Sequence, residues 1–237
     1  MAEGQGRPNG DPQPTALAPL PLGRYRCAVL LAALLALLAI YPYLQDSLPG
    51  RVALGIVNVT IMVAAIAATS RSRLPLPLAV LLGAIAIALL CWHQLQPGRL
   101  PYVLLGCAMV AFYGFVILDL LAYVLRRGIV TADKLYGAVS VYVLIGLFWA
   151  TVQTLLYEFE PAAFLADGTP GTSAPFDFYD FLFVSFGTLT TAGFSGLVPA
   201  THHARSLLIL EQLNGVLYVA VLIARLTGIY QPAPPPS

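Results

Sequence analysis

The sequence predicts an all-α integral membrane protein, with six transmembrane helices, a short re-entrant helix and an irregular strand after it. Three observations carry this reading. The chain is 59% hydrophobic and 10% charged, with a mean hydropathy of +0.81, whereas a soluble domain carries roughly 25% charged residues. The apolar residues fall in runs of membrane length: at about 1.5 Å of rise per residue, about 20 residues cross a hydrocarbon core about 30 Å thick. One further apolar run, 176–187, is too short to cross and leads into glycines and hydroxyls.

In chain order, residues 1–23 are rich in Pro, Gly and Gln and read as a disordered N-terminal tail. Spans follow at about 25–44, 52–69, 74–92, 101–125, 134–157 and 205–228. The first four, within 24–130, are joined by short loops and form a four-helix transmembrane bundle. Arg24 and Arg26 before an apolar core imitate a signal peptide, but the polar tail ahead of them argues against cleavage. Residues 231–237 are mostly proline and read as a second tail. Neither tail has the length of a soluble regulatory domain.

Basic residues set the orientation. With the N-terminus inside, Arg7, Arg24, Arg26, Arg71, Arg73, Arg126, Arg127, Lys134 and Arg225 fall on the cytoplasmic side, and only Arg51, Arg99 and Arg205 fall outside. Both termini are therefore expected in the cytoplasm.

The last connection, about 158–204, is too long for a turn. It opens with Glu158, Glu160, Asp167, Gly168, Pro170 and Gly171, an acidic and flexible external stretch. The run Phe176–Gly187 would reach only about 18 Å as a helix, so it enters the membrane without crossing. Asp177 is placed to cap its N-terminus, and Asp180 lies in its first turn, where a carboxylate favours the positive helix end. Thr188–Gly196 has small residues, hydroxyls and no helical period. Irregular backbone at membrane depth is tolerated where it is buried in protein or lines a wet cavity. An extended strand returning to the outside is the expectation.

Other chemistry is sparse. A net charge of +1 offers no basic face for nucleic acid. Cys27, Cys91 and Cys107 lie in or beside apolar runs with no metal-ligand spacing. His202 and His203 are adjacent, a poor chelate without further ligands, and read as an exposed turn. Trp92 and Trp149 read as interface or packing aromatics. No cofactor is expected.

The segment Thr188-Leu-Thr-Thr-Ala-Gly-Phe-Ser resembles the potassium-channel filter pattern Thr-x-Thr-Thr-Val-Gly-Tyr-Gly. Ala204–Glu211 and Leu217–Leu226 resemble the last helix of small bacterial channels with a two-helix pore. Ala132-Asp-Lys-Leu-Tyr-Gly137 resembles that family's longer members, which carry four extra helices. The resemblance covers about 131–230 and implies a pore domain there: outer helix, pore helix, filter and inner helix. It implies a homotetramer in the plasma membrane, not an enzyme, with lipid and permeant monovalent cations as its other partners. Filter carbonyl oxygens would replace the hydration shell of the ion. By the same resemblance, the coordinating carbonyls belong to Thr191, Ala192, Gly193 and Phe194, the Thr191 hydroxyl forms the innermost site, and Thr190, Ser195 and Gly196 complete the segment. No metal is implied beyond the permeant ion.

The sequence departs from that pattern where selectivity is set. Ser195 stands at the second glycine, a left-handed position that costs a non-glycine residue on the order of 1–2 kcal/mol. Phe194 lacks the tyrosine hydroxyl, Ala192 packs less than valine, and Gly196 replaces an acidic residue. A looser outer filter is expected, conducting potassium with sodium less strictly excluded. The fourth span has no arginine before Arg126 and Arg127, so little gating charge is expected.

Three readings stay open in pairs. Glu211, with Asn214 one turn on, either braces the filter from behind or makes an interhelical hydrogen bond with no part in conduction. Gly215 is either a gating hinge or a close helix crossing. Asp119 marks an ion path or pairs with a cytoplasmic arginine or polar neighbour. Asp180 is a further candidate for filter support. A transporter would show paired broken helices, and only one interrupted segment occurs. An intramembrane enzyme would need a nucleophile and base together. A weakly selective channel and a non-conducting channel-like subunit remain as alternatives.

Overall fold

The computed structural model describes residues 26–44, 47–69, 76–126, 131–166, 176–193 and 196–228. Both tails, Arg7, Arg24, Arg71, Arg73, Arg127, Asp167, Gly168, Pro170, Gly171, Phe194 and Ser195 lie outside these residues. Seven α-helices occur among those described: α1 (Arg26–Leu44), α2 (Leu48–Thr69), α3 (Leu76–Leu95), α4 (Arg99–Val124), α5 (Ala132–Phe159), α6 (Phe178–Leu189) and α7 (His202–Gly228). All except α6 are long and apolar enough to cross a membrane. This is a multi-pass membrane protein, and its six long helices fall where the hydropathy places them, with ends shifted by a few residues.

The helices start where local chemistry dictates. Thr131 caps α5, its hydroxyl accepting from Lys134 N at 3.4 Å. Asp177 and Asp180 form a reciprocal capping box at the start of α6: Asp180 N donates to Asp177 Oδ1 at 3.0 Å, and Asp177 N donates to Asp180 Oδ2 at 2.9 Å. That satisfies two donors that a helix start otherwise leaves open. Burial pushes the Asp180 carboxyl above the usual carboxylate range, and the hydrogen bond from Asp177 N partly offsets this.

α5 is the central element. α1 and α4 pack against one side of it, α6 and α7 against another. Val141, Leu144, Leu147 and Ala150 are buried at these contacts. Asp133 ties three helix ends together, accepting from Cys27 N and from the Tyr123 hydroxyl, each at 3.1 Å.

The described start of the connection before α6, residues 160–166, has regular structure. Pro161–Ala163 forms a 3-10 turn. Strand β1 (Phe164–Ala166) pairs antiparallel with β2 (Leu197–Pro199), Leu165 opposite Val198. Phe164, Phe181, Val184, Leu197 and Ala204 bury a small second core beneath this ribbon. The ribbon therefore clamps the two ends of the segment that contains α6.

Candidate functional site

The site is built around the C-terminal end of α6. This helix has twelve residues and reaches about 18 Å, so it ends beside the middle of its longer neighbours. Leu189, its last residue, meets both flanking helices. The Tyr142 hydroxyl on α5 donates to Leu189 O at 3.4 Å. On α7, a Cβ added to Gly215 would run into Leu189 O and lie 3.1 Å from its carbonyl carbon. Gly215 is thus where α7 and the end of α6 come into backbone contact. That is the close-crossing geometry that small residues permit.

One turn earlier, Glu211 is fully buried, at 0% exposure. Its carboxyl accepts from the Ser185 hydroxyl on α6 and from Gln153 Nε2 on α5, the latter at 2.5 Å. Ser185 Oγ also lies 2.8 Å from Gly146 O on α5, so its single proton faces two acceptors. Three helices are joined through one carboxyl. Asn214, by contrast, is exposed and takes no part. Gly146 makes room for the Phe186 ring, which a Cβ there would meet at 2.6 Å. Tyr218 donates to Ala138 O at 2.6 Å and holds α7 to α5 below the site.

Beyond α6 the backbone corrects the expectation of an extended strand. Thr188 and Leu189 are helical. Thr191 N donates to Thr188 O at 3.0 Å and Ala192 N to Gly187 O at 2.9 Å. These are the two bonds of a Schellman closure. Thr191 takes its left-handed position at φ 58°, and Gly193 follows at φ 72°. A helix end leaves carbonyls without intrahelical partners, and here the amides of Thr191, Ala192 and Gly193 serve those of Thr188 and Gly187. Thr190, Thr191, Ala192 and Gly193 are exposed, as is Gly196. Phe194 and Ser195 lie outside the described residues.

The remaining candidates resolve simply. Asp119 is buried in α4. His202 and His203 begin α7 and are exposed, with His203 Nδ1 3.3 Å from Glu160 Oε2. No cluster of metal-binding side chains occurs among the described residues. Cys27 is buried and Cys91 and Cys107 are exposed, all as free thiols. Trp149 is buried and Trp92 exposed. The sequence marked Glu211 but not its partners Ser185 and Gln153. The only signal for them was a polar residue within an apolar run, which the network requires and spacing alone does not reveal.

Neither a curated protein nor a solved structure matches the chain. Residues 141–231 match the model of a family described as ion channel. The match begins inside α5 and takes in α6, the turn after it and α7. Over residues 141–231, less than half of its length, the chain is thus similar to the ion channel family.

Proposed function

We propose that the chain assembles as a homotetramer in the plasma membrane and passively conducts monovalent cations, potassium foremost, through a filter at Thr188–Gly196. In this reading residues 24–130 form the accessory four-helix unit and 131–230 the pore domain. α6 is the re-entrant pore helix, and both termini are cytoplasmic. The carbonyls of Thr191, Ala192, Gly193 and Phe194 would line the path, with Thr190, Ser195 and Gly196 completing it.

The observation that carries this is the placement of α6. A capped helix too short to cross ends in exposed Thr190–Gly193, held between two spanning helices within the ion-channel match. Its C-terminal end carries the negative pole of the helix, which favours a cation beyond it. The exposure of α7 supports assembly. Leu213, Val216 and Leu217 are uncovered in the protomer, and so are Gln212 and Asn214. Polar side chains in a membrane helix face protein or water rather than lipid, so this face belongs against other subunits or a wet cavity. Glu211 supports the filter by fixing α6 to α5 and α7, and Asp180 supports it by fixing the start of α6. Gly215 acts here as a contact point, with hinge motion a further role.

Ion flux from liposomes containing only this protein tests the proposal. Potassium should pass readily, sodium less so and a large organic cation not at all. Flux of all three alike, or of none, would refute it. A weakly selective channel is the second reading, favoured by Phe194 and Ser195 where the pattern has tyrosine and glycine. Reversal potentials under opposed potassium and sodium gradients separate the two.

A further inference from the structure

An apolar chamber of about 170 Å³ lies inside the helix bundle of a single chain, walled by residues of α1 to α6, among them Leu37, Leu105, Leu155 and Phe178. Its lining runs along α5 from Leu147 to Leu155, a rise of about 12 Å. α4 runs alongside in the opposite direction, Gly106 facing Leu155 and Gly114 facing Phe148. An apolar cavity of about 150 Å³ stays dry and takes up hydrocarbon of benzene size. Here a similar volume is drawn out along two helices, a slot that suits a linear chain better than a ring.

Most polar groups in the wall are tied up locally. Thr151 and Thr154 donate their hydroxyls to Leu147 O and Ala150 O at 2.8 Å, and Asn58 Nδ2 donates to Leu54 O at 3.0 Å. Tyr113, at the Leu147 end, is different. It is 4% exposed, and its hydroxyl has no hydrogen-bond partner among the described residues. A buried hydroxyl left without a partner is costly, and this one can both donate and accept. Tyr102, at the other end, is less buried, where water can serve it. No Asp, Glu, Lys, Arg or His among the described residues lines the chamber, so a charged occupant would go unpaired.

We infer that this chamber binds a linear, uncharged aliphatic alcohol of medium chain length, with its hydroxyl on Tyr113 and its chain lying between α4 and α5 toward Phe178. The wall excludes the alternatives. An acid would bring an unpaired charge, a hydrocarbon would leave the Tyr113 hydroxyl unserved, and a ring would not follow the slot. Tyr41, Asn58 and Leu90 also border a wider polar chamber of about 450 Å³, which offers a route of entry. Phe178 is the first residue of α6, so the far end of the bound chain touches the start of that helix.

The test is photo-labelling of the full chain in a sterol-based detergent, which has no alkyl tail, with two octanols that carry a diazirine near the hydroxyl or near the chain end. Adducts are located by fragmentation mass spectrometry. The first probe should label Met109 or Leu147, toward Tyr113, and the second Leu155 or Phe178. Unlabelled 1-octanol should compete at least about tenfold better than cyclooctanol or octanoate. Tyr113→Phe removes one hydroxyl and little volume. It should lower the ratio of 1-octanol to octane competition by about fivefold, the scale of one neutral hydrogen bond; taking the ratio cancels partition into the micelle. Thr151→Met should fill the middle of the slot and abolish labelling; if that variant misfolds, Tyr113→Phe decides alone. Adducts spread evenly over exposed Val63, Leu118 and Ile209, the same adducts from both probes, equal competition by cyclooctanol or octanoate, or an unchanged ratio in Tyr113→Phe (the result a lipid tail would give) would each overturn the inference. None of these readouts depends on ion conduction, so the site and the channel reading fail separately.

Discussion

Replacing Glu211 tests whether one carboxyl holds the pore-side helices together. In Glu211→Ala the Gln153 amide loses the acceptor for Nε2, and its Oε1 already has no partner. A buried donor left unpaired costs about 1–3 kcal/mol, and the space left among α5, α6 and α7 adds a cavity cost of about 1 kcal/mol. The total is roughly 2–4 kcal/mol. At about 2–4 °C per kcal/mol for a chain of this size, the melting temperature should fall by roughly 5–15 °C. Glu211→Gln keeps the shape and still accepts from Ser185. Its new amide can donate to Gln153 Oε1 once that amide turns over, so its cost should stay within about 1 kcal/mol. Thermal unfolding of the purified protein in detergent, followed by near-UV circular dichroism, measures both variants. Potassium flux from liposomes should be lost in Glu211→Ala and kept in Glu211→Gln. A melting temperature unchanged in Glu211→Ala, or lowered equally in both, would refute the reasoning.

The other predictions address neighbouring contacts. Gly215→Ala places a methyl against the Leu189 carbonyl; overpacking there should cost about 1–3 kcal/mol, read by the same thermal unfolding, together with reduced flux. Asp177→Ala removes the capping box of α6 and should cost about 1 kcal/mol, with Asp177→Asn retaining most of it. Thr191→Gly removes the strain of the left-handed residue in the closing turn and should stabilise that turn by roughly 1 kcal/mol, so its potassium flux should fall below wild type; unchanged flux would show that the turn does not compete with conduction. Between Arg99 and Val124, α4 carries no further basic residue, so currents from the reconstituted protein should respond weakly to voltage, and a steep response would contradict this.

What could be read from the sequence follows from the range of the forces involved. Spans show because burying about 20 apolar residues in hydrocarbon is a local requirement. The start of α6 shows because Asp177 and Asp180 cap it through neighbours only three residues away. The β1–β2 ribbon does not show. Phe164–Ala166 and Leu197–Pro199 are three residues each, too short for a period, and their pairing joins segments far apart in the chain. Ser185 and Gln153 are hidden for the same reason: Gln153 lies 58 positions from Glu211, and nothing local to either residue announces the other. Gly215 carried two readings because a glycine in a helix has the same sequence appearance whether it bends or is approached. The contact with Leu189 shows that it is approached.

In the proposed channel, the turn after α6 would link assembly to conduction. Ala192 N and Gly193 N both point to Gly187 O, so the amides of the proposed filter are spent on the helix end. A conducting strand needs its carbonyls directed to a common axis, and that requires Thr191 to leave φ 58° and the closure to open. Leaving the left-handed region relieves about 1–2 kcal/mol at a non-glycine residue, which offsets roughly one of the hydrogen bonds given up. The rest must come from outside the protomer, either from cations on the carbonyls or from the neighbouring subunits. A threonine at this position, rather than glycine, keeps the closed turn from being deep. Glu211, Gly215 and Tyr142 fix the end of α6 to α5 and α7, and in the proposed channel the segment beyond it would rearrange. In that reading the fixed half of the site ends at Leu189, and the half that would respond to ions and partners begins at Thr190.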